Sequence, residues 1–472
     1  MISSLKRNVT GRTGLVLLTL LPLIPGAIPA HADDNNTVGT GASIYAKASP
    51  AFVAVQYVWE REDRRQELTV AGIAISPDTV MVPVYAVPEL IPDVQLKDFK
   101  IIVPKVDADH EELDATLLGR DDRYNVAYIK LKDSSKKLPA TLSFSDKPPK
   151  VGQTVYSVGM LPKSAGYRTF LERGMVSVLQ RGELRSIEVS GGLASGGGVV
   201  FDEAGDAIGI VQPTPRTVFF EANQNGQRED ARFFLPSSEF LPSLQNIPAD
   251  GKYGPYPFSG IMGLKGISKD VAEAFGLTGK PALEVGDIVP NMAAAKAGLE
   301  KGMIVIAVDG KLLERGDEPE ELGPILSRTI LRTKKPGDKI TYTVITTKGA
   351  APKDIEITLG ERPARPNTMP RFYAEDLGYT VRDATFYDRY GRKLPEDAKG
   401  VVVDFIKENS TAATARLKPR DMITQLNGTE VTDVANFKTA YESFRKEKPK
   451  DALVLQVLRE GNTQIIRVEP PQ

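Results

Sequence analysis

The chain has no cysteine among its 472 residues. Disulfide bridges, cysteine nucleophiles and thiolate metal sites are therefore excluded. Histidine is nearly as scarce, with only His31 and His110 present, so a metal centre built on several imidazoles has nothing to draw on. An excess of one charge is also missing. Lys and Arg total 60 against 61 Asp and Glu, a net charge of −1 with the signs intermixed, which argues against nucleic acid or an anionic membrane as the main partner. Nor is there an apolar run long enough to cross a bilayer, which takes about 20 residues. The longest, GLVLLTLLPLIP, covers only 14–25.

That short run says something else. Lys6, Arg7 and Arg12 precede or flank it, and Ala30-His31-Ala32 follows it, the order of a basic start, an apolar centre and a small-x-small cleavage signature. A secretory signal peptide over 1–32 is expected, with a polar, flexible stretch over 33–41. The protein would then be periplasmic or extracellular, without a stable membrane anchor, and His110 would be the one histidine of the mature chain. The remaining length suits about three domains.

From 42 to 240, short β-rich runs alternate with turn signals: 52–59, 68–75, 79–84, 100–103, 126–130, 154–158, 174–179, 186–189, 198–201 and 207–211. Many short strands at this spacing indicate a sandwich or barrel. Residues 241–258 hold four prolines and two glycines and read as a linker. A second proline-dense break, RPARPNTMP, starts at Arg362. The two segments behind these breaks repeat each other. NMAAAKAGLEKGMIVIAVDG from Asn291 aligns without gaps to NSTAATARLKPRDMITQLNG from Asn409. Each predicts a short Ala-rich helix, a turn, and an apolar strand closing in an Asp/Asn-Gly hairpin.

This repeat resembles the PDZ domain in the permuted form of the bacterial HtrA/Deg proteases. Residues 294–303 fit that family's helix-turn-strand stretch except for Met303, which stands where it has Asp. Ile261-Met262-Gly263-Leu264 is similar to its carboxylate-binding loop, and Leu377-Gly378-Tyr379 is a weaker second copy preceded by Glu375 and Asp376. Those two carboxylates would repel a peptide terminus. Read against the same family, 71–77 (AGIAISP), 117–131 (LLGRDDRYNVAYIKL) and 191–210 (GGLASGGGVVFDEAGDAIGI) resemble the segments around the histidine, aspartate and serine of a trypsin-like protease. The resemblance spans about 42–470. It implies a mainly β chain: a trypsin-like double β-barrel over 42–240, a linker over 241–258, an α+β PDZ domain over 259–362, a linker over 363–371 and a second PDZ domain over 372–472. It also implies assembly into trimers.

The trypsin-type mechanism needs a serine nucleophile, a histidine base and an orienting aspartate. Carried over residue by residue, the serine position is Ser195, the histidine position is Tyr85 and the aspartate position is Asn125. Leu193 and Ala194 replace the family's Gly-Asn before the serine. A phenol with an ordinary pKa near about 10 holds its proton at neutral pH and does not act as base. His110 lies in an acidic stretch, DHEELD, and reads as an exposed turn residue; Asp107, Asp109, Glu111 and Glu112 read as a solvated turn and not a metal site. No cofactor is implied. The expected function is a pseudoprotease that binds C-terminal or extended peptide and protein segments, with Ile261, Met262, Gly263 and Leu264, and in the second copy Leu377, Gly378 and Tyr379, lining the peptide sites. Two alternatives stand beside it: an active serine endopeptidase with an unusual base near Ser195, and a structural envelope subunit that partners an active protease.

Overall fold

The computed structural model describes residues 39–105, 109–182, 185–212, 232–314, 319–395 and 397–470. The expected signal peptide, with His31, lies outside them, as does Asp107.

The ten sequence-read runs up to residue 211 all form strands, and two more join them, Glu111–Asp121 and Arg232–Pro236. Glu111 and Glu112, expected in a turn, open the first of these. Glu112 and Asp114 sit on the solvent side while Leu113 and Ala115 turn inward, the period-two alternation of a half-buried strand. The twelve strands close into two six-stranded barrels. Around the first the order is Phe52–Glu60, Arg65–Ser76, Thr79–Pro83, Val126–Leu131, Glu111–Asp121 and Leu96–Val103. Around the second it is Val199–Phe201, Ala207–Gln212, Arg232–Pro236, Arg185–Gly191, Thr169–Arg181 and Thr154–Met160. Closure leaves no strand edge unpaired. β-branched and aromatic side chains fill the interiors: Val53, Val55, Tyr57, Val80 and Ile129 in the first, Val155, Val176, Val189, Val200 and Phe234 in the second.

The proline-rich segment after the barrels is tied down. It contains a short helix, Leu241–Leu244, whose Ser243 hydroxyl donates to Asp121 Oδ2 at 2.7 Å and meets the Tyr128 hydroxyl at 2.7 Å. Asp121 is fully buried and is held on its other side by two hydrogen bonds from Arg123 at 2.8 and 2.9 Å. A buried carboxylate needs such a set of donors to offset its desolvation.

Two α+β modules follow, each with its own core. The first has a six-stranded sheet in the order Leu264–Gly266, Leu283–Val285, Ile304–Val308, Lys339–Ile345 and Lys353–Thr358, with Lys311–Leu312 on the middle strand. The second repeats this order as Tyr379–Asp383, Val401–Ile406, Met422–Leu426, Leu453–Arg459 and Asn462–Val468, with Thr429–Glu430 attached, and adds a seventh strand, Arg371–Ala374, at the edge. The long helices Leu322–Thr333 and Val434–Glu447 stand at matching places in the chain. The mainly β chain thus forms the double barrel followed by two α+β modules that the sequence implied.

Candidate active site

The segment around Ser195 is a tight loop between Arg185–Gly191 and Val199–Phe201. Gly192 N–H donates to Arg173 O at 2.9 Å, Gly197 N–H to Val211 O at 3.0 Å, and Gly198 N–H to Ser195 O at 2.9 Å. Gly197 adopts φ +85°, a backbone state closed to most side chains, and so forces glycine there. The loop leaves Ser195 exposed, and no described residue hydrogen-bonds its Oγ. Leu193 and Ala194 behave differently. They are 3% and 2% exposed and belong to the core of the second barrel. The amide of Ala194 is spent on Ser157 Oγ at 2.8 Å. Leu193, at the oxyanion turn, is therefore a packing anchor.

The first barrel delivers the other two positions. Thr79–Pro83 runs antiparallel to Val126–Leu131, with Pro83 opposite Val126, so the residues just beyond the pair are neighbours. Val84 N–H donates to Asn125 O at 3.0 Å. Asn125 sits at φ +56°, a left-handed state that asparagine tolerates. Tyr85, in the 3₁₀ turn Val84–Ala86, points toward the serine loop: a Cβ built on Gly196 would lie 2.7 Å from its hydroxyl. Although 43% of Tyr85 is exposed, desolvation of its hydroxyl end pushes its pKa up to about 12. The fold thus sets Tyr85 beside Asn125 and turns the Tyr85 hydroxyl toward the serine loop, where it holds its proton through the neutral range. His110 is occupied elsewhere, with Nε2 3.4 Å from Glu112 and its ring edge-on to Tyr167 at 5.6 Å. Among the described residues, no group of His, Asp or Glu side chains is placed to hold a metal ion.

In the first α+β module, the loop at Ile261–Leu264 leads into the edge strand Leu264–Gly266. Ile261 N–H donates to Ser259 Oγ at 3.3 Å and Met262 N–H to Asp287 O at 2.7 Å. The edge is covered by the chain itself. A Cβ at Gly323 would fall 2.0 Å from Leu264 O, and one at Gly266 would fall 2.0 Å from Pro319 O. The helix Leu322–Thr333 and the turn before it thus lie directly on the strand. What stays open is a pocket of about 300 Å³ between the loop and this capping helix, lined by Phe258, Ile261, Leu264, Ile330, Leu331 and Tyr342 among others.

The capping helix is clamped to both barrels. Arg332 donates to Arg123 O at 2.9 Å, to Glu239 Oε2 at 2.9 Å and to Glu239 O at 3.1 Å, and its guanidinium lies 5.0 Å from the Tyr124 ring centre. Arg328 reaches Arg123 O at 3.2 Å and Asp122 O at 3.4 Å. The turn so held is the one that carries Asn125. Sequence reasoning missed this clamp, although arginines at i and i+4 share one helix face.

In the second module, Leu377 and Tyr379 are fully buried. The amides of Leu377 and Gly378 donate to Ala374 O at 3.2 and 2.8 Å, and the outer edge of Tyr379–Asp383 is already paired with Arg371–Ala374. Asp376, expected to repel a peptide terminus, is ion-paired with Arg445 at 3.1 Å.

Comparison with known proteins gives a consistent picture. The family of trypsin-like peptidase domains matches residues 72–210, and the PDZ domain family matches 376–469. A probable periplasmic serine endoprotease, DegP-like, of Pseudomonas fulva is 26% identical over 375 residues, covering 76% of this chain and 72% of its own length. The periplasmic pH-dependent serine endoprotease DegQ of Escherichia coli is 27% identical over 367 residues, with the same coverage of each chain. Among solved structures, the HtrA-type protease AlgW with a tripeptide superposes with a TM-score of 0.52 at 19% identity, covering 69% of this chain and 98% of that one.

Proposed function

Because the chain belongs to the HtrA/Deg family of trypsin-like serine proteases with PDZ domains, we propose that it is a pseudoprotease of the cell envelope, which holds peptide and protein segments without cutting them. The observation that carries this reading is Tyr85. A working triad places an imidazole beside the serine to take its proton; here a phenol faces the loop, with its pKa pushed up to about 12. Removing the base from such a triad costs about 10⁶ in turnover. Asn125 has no charge with which to stabilise a cation, and the amide before Ser195 is bound to Ser157. The relatives' periplasmic names support export to that compartment, in keeping with the signal-like start of the sequence.

Peptide holding is assigned to the first module. Its loop, Ile261 to Leu264, borders the 300 Å³ pocket, which suits one terminal side chain. A longer ligand would add beside Leu264–Gly266 and needs about 4.8 Å of clearance from that strand, so the capping helix must withdraw for it to enter. AlgW was solved with a tripeptide and with a decapeptide, which supports peptide binding by this chain.

An active endopeptidase is the second reading, and the exposed Ser195 hydroxyl, without a hydrogen-bond partner among the described residues, favours it. Hydrolysis of fluorogenic casein by the mature chain beside Ser195→Ala separates the two. The pseudoprotease gives equal, background rates; a native rate well above that of the variant overturns it.

A further inference from the structure

The second module is the same fold as the first with one strand added. Arg371–Ala374 pairs antiparallel with Tyr379–Asp383, setting Arg371 opposite Arg382, Phe372 opposite Val381, Tyr373 opposite Thr380 and Ala374 opposite Tyr379. The strand forms the outer edge of the sheet and lies just ahead of the region matched to the PDZ family, which starts at residue 376. In the first module no described strand pairs with the equivalent edge, and the helix rests directly on it. In the second, the strand fills that space.

Three details give the strand the character of a bound peptide. Peptides that add to a sheet edge are held by main-chain pairing, and alternate side chains fill pockets. Here Phe372 and Ala374 turn inward: Ala374 is 1% exposed, and the Phe372 ring meets Phe437 and Tyr441 of the helix Val434–Glu447 at 6.1 and 5.5 Å. Arg371 faces away and pairs with Asp404. Finally, the strand runs toward the loop, where the Ala374 carbonyl accepts from the amides of Leu377 and Gly378. Backbone amides of this kind also capture a peptide's terminal carboxylate.

We propose that Arg371–Ala374 is a resident ligand of the second module, one that keeps this groove shut to other chains and marks the peptide class that fits it: a free C-terminus with Ala last and an aromatic residue two places before. The inference stands whether or not Ser195 cuts, and it does not depend on peptide binding at the first module.

Hydrogen–deuterium exchange on the whole mature chain tests it, read on peptic fragments covering 371–374 and 379–383. In the native chain both segments are expected to be protected together, and a ten-residue probe ending in Arg-Phe-Tyr-Ala with a free carboxylate leaves them unchanged. Phe372→Ala removes the aromatic anchor and is expected to speed exchange of both by roughly tenfold or more. The probe then restores protection to 379–383 alone, whereas the same peptide ending in an amide does not. Exchange of native 371–374 at the rate of an open linker overturns the proposal, and this arm holds even if the variant fails to fold. A folded variant in which the probe leaves 379–383 unprotected overturns it as well. Reading a segment of the second module keeps the result separate from any binding at Ile261–Leu264.

Discussion

Replacing Leu193 by glycine, the residue the family has there, is expected to destabilise the protein and not to repair it. Leu193 is 3% exposed and packs with Val155, Val189 and Phe234 in the second barrel. Truncating a buried leucine to alanine costs about 2.7–5 kcal/mol, set by how far the cavity collapses. Going on to glycine adds about 0.5–1 kcal/mol of backbone entropy. The Leu193→Gly variant should therefore lose about 3–6 kcal/mol, which for a domain of this size lowers Tm by roughly 6–24 °C. Differential scanning calorimetry of the native chain, Leu193→Ala and Leu193→Gly measures it, and alanine should account for most of the loss. If the glycine variant melts within about 2 °C of the native chain, a shift of about 0.5–1 kcal/mol, then the side chain is not an anchor and the oxyanion turn is free to adopt an active shape.

Other outcomes follow from the same geometry. Tyr85→His with Asn125→Asp should raise Ser195 reactivity toward a fluorophosphonate by about 10²-fold, the lower range for a positioned base, measured as the labelling rate. Arg332→Ala removes three hydrogen bonds from the capping helix and should tighten a C-terminal peptide at the first module by at least about tenfold, since even one bond to a charged group contributes about 1.5–3 kcal/mol; fluorescence anisotropy reads this, and unchanged affinity argues against the clamp. In the second module, burial alone would raise the Asp388 carboxyl, but hydrogen bonds from Arg382 and Thr385 outweigh it and hold it well below the usual carboxylate range. Its folded pKa is depressed, so its stabilisation is complete above the unfolded value near about 3.9 and fades as pH falls below it. Asp388→Asn should cost about 3–5 kcal/mol at neutral pH, as for a broken buried pair, and should flatten the loss of stability below about pH 4, followed by urea unfolding.

Much of this was legible in the residues. Short β-rich runs between turn signals marked ten strands, and the repeat offset by 118 residues exposed the two modules. Tyr85, Asn125 and Ser195 were found by position along the chain, and the pairing of Pro83 with Val126 explains why the first two lie side by side. Glu111–Asp121 was obscured because its outward acids dominate the local composition. The resident strand was harder still. RFYA is four residues at the end of a proline-rich stretch, and only the tertiary fold shows that Phe372 belongs beneath Phe437 and Tyr441. Leu193 stood out as a substitution, but its burial depends on the far wall of a barrel whose strands are distant in sequence. The contact of the capping helix with Leu264 likewise arises only when the module closes.

The most direct test of the central claim is the reactivity of Ser195 itself. The mature chain and Ser195→Ala are incubated with a fluorophosphonate probe, and labelling is followed by intact mass. Without an imidazole beside it, the hydroxyl should label no faster than the background that the alanine variant defines. Stoichiometric labelling of the native chain, mapped to Ser195 and lost in Ser195→Ala, would contradict the account and return the chain to the active proteases.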